Sequence, residues 1–103
     1  MPYIEQKYRE QLDKTIDELA EIVKKIREEN PKQTRDGSLN YSITRLLNHV
    51  FADARYHDFN EVIGMLECCK LEYYRKYLAP YEDLKEEQNG KVDTFNKGDK
   101  QGY

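Results

Sequence analysis

Between Tyr8 and Ile26 the apolar side chains recur at every third or fourth position: Tyr8, Leu12, Ile16, Leu19, Val23 and Ile26. That spacing lays them along one stripe and predicts a first helix over residues 6–29. Pairs such as Glu10/Lys14 and Glu21/Lys25 support its polar faces. Asn30-Pro31 ends it, because proline has no N–H to donate and pushes the residue before it out of helical geometry. A polar loop over residues 31–37 closes on Asp36-Gly37. A second stripe, Leu39, Ile43, Leu46, Leu47, Val50 and Phe51, predicts a helix over residues 38–54, capped by Ser38 or Asn40. Asp58-Phe59-Asn60-Glu61 has capping-box spacing with aspartate as the cap. It opens a third helix over residues 59–78, with Val62, Leu66, Cys69, Tyr73 and Tyr77 on one line. Gly64, in mid-helix, predicts the close approach of another backbone. Ala79-Pro80 breaks or kinks this helix, and Pro80 starts a short fourth one that Gly90 stops. From Lys91 onward the chain has no periodicity. The expectation is an all-α fold: an antiparallel three-helix bundle with a short fourth helix in a domain over residues 1–90, followed by a disordered C-terminal tail over residues 91–103.

Composition sharpens this picture. Leu, Ile, Val and Phe number 22 among 103 residues, and 36% of the chain is charged. That is near the limit at which chains stop folding, so the core is thin and self-association is expected. No stretch approaches the roughly 20 apolar residues of a membrane span. The start of the chain lacks a signal-peptide pattern, and two adjacent cysteines are no disulfide framework, so a cytoplasmic setting is the default. A net charge of −3 disfavours nucleic acid as a partner.

The candidate chemistry lies on the second and third helices. Tyr73-Tyr74-Arg75-Lys76-Tyr77, with Tyr81 beyond, spreads over more than half a helix circumference, so these residues cannot all face one core. Tyrosine and arginine dominate interface hot spots and can stack on or pair with anionic ligands; a plain core-rim role for Tyr73 and Tyr77 is the alternative. Asn40, Tyr41 and Arg45 form a polar face on the second helix, where Arg45 could meet a carboxylate or phosphate. Glu67, in the most apolar part of the third helix, needs a partner if buried, and Arg45 is the candidate. Asp17-Glu18-Leu19-Ala20-Glu21 resembles half of the acidic motif of all-helical nucleotide pyrophosphohydrolases. The facing half that Mg²⁺ would need is missing, so a solvated acidic face is the simpler reading. Cys68 and Cys69 point about 100° apart on a helix and read as small packing residues, not as a zinc site. No catalytic residue, metal ligand or cofactor is assigned.

Five segments carry a resemblance: Leu39-Asn40-Tyr41-x-Ile43-Thr44-x-Leu46, Asn60-Glu61-Val62-Ile63-Gly64-x-Leu66-Glu67-Cys68, Lys70-Leu71-Glu72-x-Tyr74-Arg75, Ala79-Pro80-Tyr81-Glu82-Asp83 and Asn89-Gly90. In this order they resemble a family of small uncharacterised proteins from phages, bacteria and archaea. Here Lys91 follows Gly90 where that family has aspartate. The resemblance implies a phage or mobile-element background and brings no functional residues with it. The reading that results is a non-enzymatic binding module and homo-oligomer, using Asn40, Tyr41, Arg45, Asn60, Glu67, Tyr74, Arg75 and Tyr81 to hold a small anionic, nucleotide-type ligand or a host protein. A Mg²⁺-dependent pyrophosphohydrolase-like enzyme and a structural protein–protein adaptor are the alternatives.

Overall fold

The structure is a computed structural model that describes residues 2–92; the tail expected over 93–103 lies outside the described residues. Every regular element among them is helical: α1 (Gln6–Glu29), α2 (Arg35–Val50), α3 (Tyr56–Tyr73), a π-helical turn (Tyr74–Leu78) and α4 (Ala79–Asn89). The chain divides between Gly64 and Met65 into two compact units. The first holds α1, α2 and the start of α3. The second holds the rest of α3, the π turn and α4.

In the first unit α1 packs on α2 across the turn at residues 30–34. α1 has the bounds its stripe predicts. Its ion pairs differ from those expected: Lys14 pairs with Glu18 at 3.9 Å and Glu21 with Lys24 at 3.2 Å. α2 starts three residues earlier than the expected 38. Thr34 is the N-cap, and its hydroxyl accepts the Gly37 N–H at 3.2 Å. Asp36-Gly37 is therefore a first helical turn and not a loop, and neither Ser38 nor Asn40 is the cap. Glycine fits there because a Cβ at Gly37 would stand 3.0 Å from the Thr34 hydroxyl oxygen. The helix closes at Phe51 rather than at Ala54.

α3 also begins early. Asp58 lies inside its first turn and accepts the Arg55 N–H at 2.9 Å, which is the returning half of a capping box; the aspartate is not the cap. α4 ends where expected, at Gly90, whose φ of 94° is open to glycine at little cost.

Val23 is the one buried residue among those described, at 6% exposure. On α2, the small side chains of Ser38 and Ser42 are half-buried. Leu47, Phe51, Val62 and Leu66 are half-buried, and much of the stripes stays open to water: Leu12 is 50% exposed, Ile16 56% and Leu46 60%. Nothing stands within 4 Å of a Cβ built on Gly64, so no backbone approaches it among the described residues, contrary to the expectation from sequence.

Replacing Thr34 by alanine removes the α2 cap and is expected to lower stability by about 1 kcal/mol in urea unfolding. Asp36 has its carboxyl held below the usual 3.8 by the Thr34 side chain first, then by backbone N–H groups of Asp36 and Gly37 and by the Arg35 charge. A depressed carboxyl stabilises above its unfolded value. That contribution is lost as pH falls below about 3.8 toward the folded value, and Asp36→Asn should flatten the acid limb of helicity against pH. Gly64→Ala should raise stability by about 0.5–1 kcal/mol, since its new methyl meets nothing in the chain; a loss would reveal a backbone lying against it in solution.

Candidate functional site

Pro80 shapes the most distinctive local feature. It has no N–H for the carbonyl of Lys76, and its ring crowds that oxygen. Of the break or kink that the sequence predicts, the break does not occur. The helix widens instead: the Ala79 N–H reaches back five residues to the Tyr74 carbonyl, and Leu78 and Ala79 keep right-handed helical backbone angles. A π turn of this kind absorbs one extra residue and often sits at functional positions.

The widened turn borders an apolar hollow of 720 Å³ lined by Cys69, Lys70, Leu71, Tyr73, Tyr74 and Leu78. Tyr73 and Tyr77 stack tilted, with ring centroids 4.9 Å apart. Both are exposed and neither closes a core. Cys68 and Cys69 carry exposed free thiols, so they are not the packing residues their small size implied.

Of the charged candidates in this unit, Arg75 donates to Glu72 at 2.8 Å on its own helix. Glu67 is exposed and pairs with Lys70 at 2.6 Å. It is thus neither buried nor matched to Arg45: a lysine one turn away meets it first. Tyr81 lies on α4 with the Lys85 ammonium 5.6 Å from its ring centre.

In the first unit Asn40 and Tyr41 line a second hollow, of 520 Å³, with Asp36, Gly37 and Thr44. The Thr44 hydroxyl donates to the Asn40 side-chain oxygen at 3.3 Å. Asp36 gives this hollow a negative charge, which suits no anion. Arg45 and Asn60 are exposed on α2 and α3. A third hollow, of 450 Å³, went unnoticed in the sequence because it needs the hairpin to form: Lys24, Arg27 and Glu28 from α1 meet Pro31 and Arg35. Among the described residues no three His, Cys, Asp or Glu side chains gather where they could hold a metal ion, and no helix is long and apolar enough to cross a membrane.

The family model of a domain of unknown function, DUF6899, matches residues 1–92. The chain belongs to this family. The match takes in all four helices and the π turn, so the hairpin and the apolar hollow both lie within the family's domain. No curated protein and no solved structure matches the chain.

Pro80→Ala supplies the missing donor. It is expected to stabilise the helix by about 1–3 kcal/mol and to lower the binding of an apolar dye at the Tyr74 hollow several-fold. Unchanged stability together with unchanged dye binding would show that Pro80 does not hold the turn open.

Proposed function

We propose that this chain is a small non-enzymatic binding module of phage or mobile-element type that works as a homo-oligomer. The observation that carries this reading is the state of its apolar stripes: among the described residues, five helical segments contribute one buried side chain. Isolated helices of this length are marginal in water, and most helical stability comes from packing of an apolar face. In the proposed assembly, copies cover one another's stripes, and the antiparallel three-helix bundle within residues 1–90 forms as part of it.

The partner surface is the Tyr73/Tyr74/Leu78 hollow, and a protein fits it better than an anion does. Its lining is aromatic and aliphatic, its neighbour Arg75 is already engaged by Glu72, and tyrosines in a desolvated patch are typical anchors. A host protein is the partner class that follows. One observation favours the second reading, a small nucleotide-type anion: Lys24, Arg27 and Arg35 converge on the hairpin hollow against the single negative charge of Glu28. The enzyme alternative has less support, because Glu18 and Glu21 are exposed and each is matched to a lysine of the same helix.

Three measurements test these readings. Size-exclusion chromatography with light scattering at micromolar concentration should return a multiple of 12.3 kDa; a clean monomer removes the oligomer. Thermal-shift screening against nucleotides should be flat if the partner is a protein, whereas a shift abolished by Arg35→Ala supports the anion. Incubation with nucleoside triphosphates and Mg²⁺ should release no phosphate or pyrophosphate, and release that is lost in Glu18→Gln would make the chain an enzyme.

A further inference from the structure

The α1 stripe has a stricter period than an amphipathic helix needs. Leu12, Ile16, Leu19, Val23 and Ile26 step by four, three, four and three. They are the d and a positions of a coiled coil, with β-branched Ile16 and Val23 at a and leucine or isoleucine at d. Positions b, c and f are filled by polar residues throughout, from Glu10 to Glu28. Within the chain only Val23 of this seam is buried; Leu12 and Ile16 are half exposed along the N-terminal half of the helix.

The residues flanking the seam decide its partner and direction. The e positions are Asp13, Ala20 and Arg27, and the g positions are Tyr8, Thr15, Ile22 and Glu29. A parallel pair sets each g against the following e, which brings Tyr8 to Asp13, Thr15 to Ala20 and Ile22 to Arg27, with no opposite charges. An antiparallel pair of identical helices sets e against e. About a two-fold axis at Ala20, Asp13 of each copy then meets Arg27 of the other, twice by symmetry, while the two small Ala20 side chains let the backbones approach. Among the described residues neither Asp13 nor Arg27 forms an ion pair within its own chain.

We infer that two copies of this chain pair through α1 in antiparallel register, with Asp13 facing Arg27 of the partner copy and Ala20 on the two-fold axis. This deepens the self-association proposed above by naming its surface. The projected area of the hairpin is about three-quarters of what a standard interface covers on each partner. α1 and α2 are about 36 and 24 Å long and about 10 Å wide, so the hairpin offers about 600 Å² in projection, against the ~800 Å² of accessible surface that a stable interface covers on each partner. α2 adds the exposed Leu39, Ile43, Leu46 and Val50, and an isologous pair of hairpins closes as a four-helix bundle.

The test is charge exchange in the full chain, read by sedimentation equilibrium at low salt, with circular dichroism to verify helix content. Asp13→Arg and Arg27→Asp should each weaken the dimer about tenfold, with a smaller effect in 1 M salt. The variant carrying both, whose net charge equals the wild type's, should regain wild-type affinity. Ala20→Cys in a Cys68→Ser/Cys69→Ser background should form a disulfide-linked dimer on oxidation, which a parallel pair or an unrelated contact does not require. If the wild type dimerises and neither single exchange weakens it, this register is wrong while self-association stands. If the wild type is a monomer at 100 μM, both fall. If the single variants weaken the dimer and the double variant does not recover, the two residues do not face each other and the antiparallel seam is overturned.

Discussion

Apolar helix faces must be covered, and this constraint governs the rest of the molecule. Local devices set the ends of the helices: the Thr34 cap, the Asp58 carboxylate on the Arg55 N–H, and the positive φ of Gly90. Each contributes about 1 kcal/mol at most, and the surface ion pairs add a few tenths apiece. None of these orders one helix against another. That takes buried area, and Val23 is the one buried side chain among the described residues, with a few half-buried ones such as Leu47 and Leu66. In the proposed assembly stability would depend on concentration, because each copy would supply cover for the next.

What could be read from the sequence follows from which forces are local. The bounds of α1 were legible because a 3.6-residue stripe and a terminal proline agree. The start of α2 was not, since Asp36-Gly37 carries turn chemistry and only the Thr34 hydroxyl above it makes the same pair a helical first turn. Asp58 was recognised as a capping residue and assigned the wrong half of the motif, because the two ends of a capping box share chemistry and differ in where the helix begins. Pro80 was read as a break or a kink, whereas the helix widens, which costs less than ending a helix whose flanking residues all favour it.

The candidate residues were named from the sequence, and their pairings were not legible in it. Tyr74 does line a hollow, as a surplus of exposed tyrosine leads one to expect. Glu67 was matched to the distant Arg45, yet it finds Lys70 three residues away on its own helix, as Arg75 finds Glu72. Such near neighbours win because little chain entropy is spent in bringing them together. The basic hollow of Lys24, Arg27 and Arg35 is the reverse case: its residues come from both arms of a hairpin, and no single-helix pattern displays it.

The π turn has a consequence for how the C-terminal helix relates to the one before it. A bond spanning five residues encloses one more than a bond spanning four, so the turn holds a residue in excess of α-helical count. Each residue of an α-helix advances the wheel by about 100°. The faces of α3 and α4 are thus out of phase by more than a quarter of a revolution, and Tyr81 and Leu84 point elsewhere than a wheel drawn through from Tyr73 would put them. A relative of this chain with a single deletion between Tyr74 and Leu78 would keep both helices intact and present a differently rotated α4. Length variation at this one place is therefore a means of changing which side chains a partner meets without rebuilding the fold.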